Sequence, residues 1–263
     1  MGPKPVPADG GSDRALLLRS EERLRTLRAM EPLGGRDLKG LLADQGISRR
    51  SFVTWVSATT AMLMLPAIFE PQVAEAAELT NRIPVLWLEG QDCAGNSEAL
   101  LRAVGPTIDE LLFNVISLEY HETLMAAAGF QAQRRKEEAA RRHRGRYLLI
   151  VEGSIPQGDH GAYCTIGPEA KPFLQEVQEL ADGAAAVIAV GACAFDGGAP
   201  AANPNPTRAT GVMSVVKGKP VVNVPACPMN PANLMGTILH YTMTGTLPPL
   251  DSEAFRVTGA HGV

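Results

Sequence analysis

Three cysteines stand where apolar runs give out: Cys93 after Val85-Leu86-Trp87-Leu88, Cys193 after Ala186-Val187-Ile188-Ala189-Val190, and Cys227 after Val221-Val222-Asn223-Val224. Thiolates are soft ligands, and several of them brought together suit iron-sulfur clusters or zinc. Each run is short, aliphatic or β-branched, and closed by Gly or Pro, which is how a buried parallel strand reads. Parallel strands of one sheet end on one edge, and open α/β folds place their ligands outside that edge. Three thiols remote in sequence are therefore expected to converge there as a candidate iron-sulfur cradle.

Taken singly, a cysteine is more often a small buried hydrophobe than a ligand, so position carries the reading. Cys164, in Tyr163-Cys164-Thr165-Ile166-Gly167, falls in a loop after the third strand and is read as packing. The turn Gly90-Gln91-Asp92-Cys93-Ala94-Gly95-Asn96-Ser97-Glu98 carries Asn96 at the second position of a Cys-x-x-Cys pair. Backbone amides of such a Gly-containing turn, with a helix amino end behind it, favour the negative charge of a thiolate-ligated cluster.

The elements that must position these residues alternate apolar strand, Gly-rich turn and helical stretch, the pattern of an α/β domain with a mostly parallel sheet. Strands are expected at Val85 to Leu88, Asn114 to Leu118, Tyr147 to Val151, Ala186 to Val190 and Val221 to Val224. Helices are expected at Ser97 to Ile108, after the cap-like Asn96-Ser97, at Gln131 to Arg144, near Phe173 to Ala181, and at Pro231 to Thr244. Gly197 to Pro206, full of Gly, Ala, Asn and Pro, reads as loop.

With 263 residues and 45% hydrophobic content, the chain can bury one ordinary core with appendages. Its net charge of -4 comes with no Lys/Arg-rich block in the mature region, which argues against nucleic acid as a partner. The first eighty residues differ from the rest. Met1 to Asp13 is rich in Pro, Gly and charge and reads as disordered, at the start of a variable extension over 1–47. Ser48-Arg49-Arg50-Ser51-Phe52-Val53 then precedes a moderately apolar stretch to Phe69, and Ala74-Glu75-Ala76 supplies a small-x-small cleavage site. This is the pattern of a twin-arginine signal over 48–76. Read instead as a membrane span, the apolar stretch is short, at roughly 17 residues. Export of an already folded passenger means that four cysteines need not form two disulfides, as an exported protein would otherwise suggest.

In this order the blocks resemble the small subunits of nickel-iron hydrogenases. Gly46-Ile47-Ser48-Arg49-Arg50-Ser51-Phe52 is similar to that family's leader, and Val85-Leu86-Trp87-Leu88-Glu89-Gly90-Gln91-Asp92-Cys93 to its first strand and cluster turn. Leu118-Glu119-Tyr120-His121-Glu122-Thr123-Leu124-Met125-Ala126-Ala127-Ala128-Gly129, Val151-Glu152-Gly153-Ser154-Ile155-Pro156, Asn205-Pro206-Thr207-Arg208-Ala209 and Val224-Pro225-Ala226-Cys227-Pro228 continue the match. The resemblance implies a flavodoxin-like domain over 77–251, an open, mostly parallel sheet with flanking helices. Its strand-edge cysteines hold a proximal [4Fe-4S] cluster that takes electrons from hydrogen oxidised on a separate large subunit. Cys93, Cys193 and Cys227 match three ligand positions, and the fourth falls on Asn96. Glu98 and Glu152 are carried over as candidates for a proton relay or subunit contact, while His121 is read as part of a packing or interface segment and not as a ligand. The implied partners are the large subunit, the twin-arginine export machinery and a membrane electron acceptor. The implied location is the periplasm or outer face of the cytoplasmic membrane, and no nickel is held by this chain.

Two departures qualify that picture. An amide oxygen at Asn96 is a poor match for thiolate-bound iron, leaving open a [3Fe-4S] cluster, a site completed by Asn96, Asp92 or water, recruitment of Cys164, or no stable cluster. On this ground Asn96→Cys is expected to complete the ligand set. Oxygen-tolerant relatives add two cysteines where this chain has Gly95 and Gly198, so their special cluster is not expected. The tail over 252–263 does not resemble the family's continuation into a domain holding further clusters, and that domain is expected to be absent. The alternative reading is a truncated or decayed exported flavodoxin-like module without a functional cluster. A quinone-linked relative from respiratory complexes is expected to carry an adjacent Cys-Cys pair, which this chain lacks.

Overall fold

A computed structural model describes residues 10–30, 48–79, 83–103 and 117–248. Its centre is a five-stranded sheet of β1 (Pro84–Glu89), β2 (Ser117–His121), β3 (Leu148–Glu152), β4 (Ala186–Val190) and β5 (Val221–Val224). The order is β2-β1-β3-β4-β5 and every neighbouring pair is parallel, which is flavodoxin-like topology with its switch point between β1 and β3. β3 and β4 are buried along their whole length and β1 over all but its last residue. That explains their continuous apolar reading, because helices cover both faces of a parallel sheet.

The pleat sorts side chains between two cores. Val85, Trp87, Leu148, Ile150 and Ile188 face one, and Leu86, Leu88, Leu149, Val151 and Val187 face the other. The second is covered by α5 (Gly129–Arg142) and α6 (Phe173–Gly183). Between these helices Lys136 is fully buried, 2.7 Å from Glu176 and 5.0 Å from the centre of the Tyr120 ring. Lys171 reaches the same carboxylate at 2.8 Å. The first core is covered by α8 (Pro231–Thr244), capped by the Asn230 side chain on Ala232 N and ended by Gly245 in the left-handed region. Asn at the cap, Pro at the first turn and Gly after the last are the expected punctuation, so this helix matches its sequence boundaries.

Helices α1 (Gly10–Arg28), α2 (Arg49–Met62) and α3 (Glu70–Leu79) join that core through Leu24, Leu27, Val56, Val73, Ala76 and Ala77. In the variable extension, of which Met1 to Asp13 reads as disordered, α1 starts at Gly10 and buries Leu24 and Leu27 to 1%. Local charge is overridden there by the apolar side that the helix lays on α8 and α3. The remainder of the extension, 1–9 and 31–47, and the tail 252–263 lie outside the described residues. Among the described residues no helix is long and apolar enough to cross a membrane.

Two boundaries move. The second strand, expected at Asn114 to Leu118, is described over Ser117–His121 and runs three residues past Leu118; Asn114 to Ile116 lie outside the described residues. It is an edge strand paired with β1 from Pro84↔Ser117 to Trp87↔His121, and that register carries it on to His121. Helix α4 covers Gly95–Leu101, beginning two residues before the expected Ser97, and 104–108 of the expected helix lie outside the described residues. Asn96-Ser97 therefore sit inside its first turn, and its amino end is capped by a residue remote in sequence.

Candidate metal centre

All three cysteines leave the carboxyl edge of the sheet on short turns. Cys93 lies four residues after β1, Cys193 inside α7 (Gly191–Asp196) directly after β4, and Cys227 three residues after β5. The β4 and β5 turns are joined by Ala192 N donating to Ala226 O at 2.9 Å, and the β1 and β3 turns by Gly90 N donating to Glu152 O at 2.8 Å. Each turn contains a left-handed residue: Ala94 (φ 56°), Gly191 (φ 83°) and Ala226 (φ 94°). At Ala94 and Ala226 a side chain makes this conformation costly, which marks a site whose backbone course is imposed by its surroundings.

The cysteines are free, with Cys93 and Cys227 exposed and Cys193 half-buried. Burial pushes the Cys193 thiol up, aided by the nearby Cys227 and Cys93 sulfurs and by Asp92. As thiolates the three repel one another, and bound iron would remove that penalty. Two glycines leave room at the sulfurs: a Cβ on Gly198 would stand 2.7 Å from Cys193 Sγ, and one on Gly95 would stand 3.1 Å from Cys93 Sγ. Among the described residues no three His, Cys, Asp or Glu converge on a single-ion position. A multi-iron cluster takes about one thiolate per iron, so its ligands stand apart around it. Soft donors, a shared edge and glycine-made space fit such a cluster at three corners. Cys164 belongs to the margin of the second core, and burial raises its thiol to about 11.

The fourth position is different in kind. Asn96 is buried; its Oδ1 accepts from Met229 N at 2.8 Å, and its Nδ2 donates to Glu152 Oε1 at 3.1 Å. Glu152, fully buried at the end of β3, also accepts from Asn96 N at 2.9 Å, Ser97 N at 3.2 Å, Ser97 Oγ at 2.6 Å and Trp87 Nε1 at 3.2 Å. This carboxylate is the cap that the sequence reading assigned to Asn96-Ser97, and it satisfies first-turn N–H groups that otherwise lack partners. Glu98 sits on the exposed side of α4, 3.2 Å from Arg102. The two glutamates of the sequence reading are thus in opposite surroundings.

A row of polar residues missed in the sequence continues from Glu152. Ser97 Oγ lies 3.1 Å from both Glu89 Oε1 and His121 Nε2, and Thr123 Oγ1 donates to Glu89 Oε2. His121 Nδ1 accepts from Thr123 N at 3.2 Å, so Nε2 carries the proton and donates to Ser97. Burial holds this ring neutral, its pKa lowered to about 4, and it lies 5.0 Å from the Trp87 ring. Glu122 Oε1 accepts from Glu89 N at 3.1 Å. Burial raises the carboxyls of Glu89, Asp92 (to about 6) and Glu122 (to about 7); the Glu152 charge adds to this at Glu89 and Asp92, and the Glu89 charge at Asp92 and Glu122. The strand-end periodicity that singled out Cys93 also placed Glu89 there, but a carboxylate at a strand end reads as solvated until its neighbours are known.

Fold and edge together define a flavodoxin-like domain whose ligand-binding edge is lined by thiols and backed by the buried Glu152 and the half-buried Glu89, Asp92 and Glu122. The family model described as NADH ubiquinone oxidoreductase, 20 Kd subunit, matches residues 93–241. The quinone-reactive Ni/Fe-hydrogenase small chain of Wolinella succinogenes is 50% identical over 212 residues, covering 81% of this chain and 60% of that one. The hydrogenase-2 small chain of Escherichia coli K12 is 41% identical over 222 residues, covering 84% and 59%. In structure the chain is similar to the Ni-Fe-Se hydrogenase of Desulfomicrobium baculatum, with a TM-score of 0.63 and 37% identity over 66% of this chain and 68% of that one. The chain belongs to the family of nickel-iron hydrogenase small subunits. It spans 60% and 59% of the lengths of the two curated relatives named.

Proposed function

We propose that this chain is the electron-transfer subunit of a nickel-iron hydrogenase, with Cys93, Cys193 and Cys227 holding an iron-sulfur cluster against a large subunit that binds hydrogen. The observation that carries this reading is the convergence of three free cysteines, from turns after β1, β4 and β5, on one edge of the sheet. When bound, the cluster supplies one-electron redox chemistry, and the protein sets its potential through ligands, hydrogen bonds and burial. The exposure of Cys93 and Cys227 supports an edge that a partner subunit covers, since a surface cluster needs shielding from solvent.

The chain's own residues do the positioning. Glu152 fixes the first turn of α4, and with it the Cys93 turn. Gly95 and Gly198 keep space beside the sulfurs. The row Glu152, Ser97 and Glu89 can hold and pass protons behind the edge, so of the two glutamates proposed for a relay Glu152 has the connections and Glu98 has a surface ion pair. The segment 48–76 acts in this reading as a twin-arginine export signal, which places the enzyme on the outer side of the cytoplasmic membrane with a membrane electron acceptor. Exposed Arg50 in the first turn of α2, begun by Ser48 capping Ser51 N at 3.1 Å, supports an accessible recognition end.

Anaerobic co-purification with the large subunit tests the proposal. Iron, acid-labile sulfide and an EPR signal on reduction are expected together. Absence of all three from a folded complex overturns it.

A further inference from the structure

Asn96 stands where the family supplies a thiolate, and the sequence alone suggests a lost ligand. Its contacts point elsewhere. It lies three residues beyond Cys93 in the same turn, and its backbone and side-chain nitrogens both donate to Glu152 at the end of β3, at 2.9 and 3.1 Å. Its carbonyl accepts from Met229 N, two residues beyond Cys227, at 2.8 Å. It also lies against Gly191, two residues before Cys193, where a Cβ would stand 2.4 Å from Nδ2 and 2.6 Å from Oδ1. One buried amide thus touches all three cysteine-bearing segments. The partners fix its orientation: turned over, its oxygen would face a carboxylate and its NH2 group a backbone N–H.

We infer that Asn96 is the positioning residue of the three-thiol edge and supplies no ligand to iron. Its nitrogen is a donor with no lone pair to give. Its oxygen is held in place by the Met229 amide and is a hard donor among soft thiolates. Swinging it out to meet iron would break that bond and the Glu152 bond of the same amide in a buried place, leaving polar groups unpaired at a cost comparable to lost hydrogen bonds. The cluster is then held by three protein thiolates, and a thiol at position 96 would displace the tie rather than complete the set. This rests on the iron-sulfur reading above and reverses what the ligand count suggests for Asn96→Cys.

The full chain is loaded anaerobically with ferrous iron and sulfide as wild type, Asn96→Ala and Asn96→Cys, followed by iron and sulfide assay, EPR and mass-spectrometric alkylation. In both variants the fraction carrying a cluster should fall about tenfold, for the loss of two buried hydrogen bonds. The g values of the clusters that do form should not move, and the introduced thiol should stay open to alkylation. A rise in bound iron with shifted g values and a shielded introduced thiol overturns the inference. Wild type without iron or sulfide refutes the cluster reading itself. The positioning role is then decided by the alkylation rates of Cys93, Cys193 and Cys227, which should change together in Asn96→Ala; unchanged rates overturn it. Should the variants not fold, exchange of the Met229 amide in the wild type decides, with protection in support and solvent-like exchange against.

Discussion

Replacing Glu152 by Gln is the sharpest test of how the edge is built. The carboxylate takes five donors: Trp87 Nε1, Asn96 N, Asn96 Nδ2, Ser97 N and Ser97 Oγ. If the Gln oxygen keeps the two Asn96 donors, its NH2 group faces Ser97 N and Trp87 Nε1, which lose their acceptor, while the Ser97 hydroxyl can rotate to accept. Two hydrogen bonds to a charged group, at about 1.5 kcal/mol each, give an expected loss of about 3 kcal/mol. Urea unfolding of both forms, with an unchanged m-value, measures it. Trp55 and Trp87 are the two tryptophans of the chain, so a Trp55→Phe background lets Trp87 emission report the same site. A double-mutant cycle with Trp87→Phe should return a coupling of about 1 kcal/mol. A loss below about 0.5 kcal/mol, the range of an ordinary surface substitution, refutes the reasoning.

Other expectations follow from the same contacts. Lys136→Ala leaves Glu176 short of one of its two cations in a buried place and should cost about 3 kcal/mol; denaturation midpoints check this, and a change near zero contradicts the buried pair. Glu122 binds its proton more tightly folded, at about 7 against an ordinary value of about 4.3, so stability falls as pH climbs through that window. Between about pH 6 and about pH 8 wild type should lose roughly 1 kcal/mol that Glu122→Gln does not. His121, lowered to about 4, works the opposite way, removing stability as pH falls below its ordinary value, so the comparison belongs above about pH 6. Equal slopes in the two proteins would falsify the assignment. Leu27→Asp puts a charge where α1 packs in the first core and should free α3, seen as at least about tenfold faster proteolysis between Glu70 and Leu79. Unchanged cleavage would show that these helices do not depend on one another.

The strands β1, β3, β4 and β5 were legible because a two-sided buried strand has little choice but to be apolar throughout. The polarity of a parallel sheet then put three cysteines on one edge without any coordinates. Edge strand β2 runs three residues past the expected Leu118 because pairing with β1, rather than its own composition, carries it on to His121. The cap of α4 could not be read, since its carboxylate comes from Glu152 more than fifty residues away. For the same reason Asn96 looked like a failed ligand: its partners Glu152 and Met229 are remote in the chain and become neighbours only once the sheet is closed. Helix α1 was hidden by its charges, because only its buried face, with Leu24 and Leu27, reveals what it packs on.

The central claim is that Cys93, Cys193 and Cys227 act together as ligands while Cys164 does not. Differential alkylation of the anaerobically purified complex, before and after the cluster is destroyed by acid, reads this residue by residue. The three edge cysteines should become reactive together only after destruction, with Cys164 unchanged between the two conditions. Equal labelling of all four cysteines before and after contradicts the account.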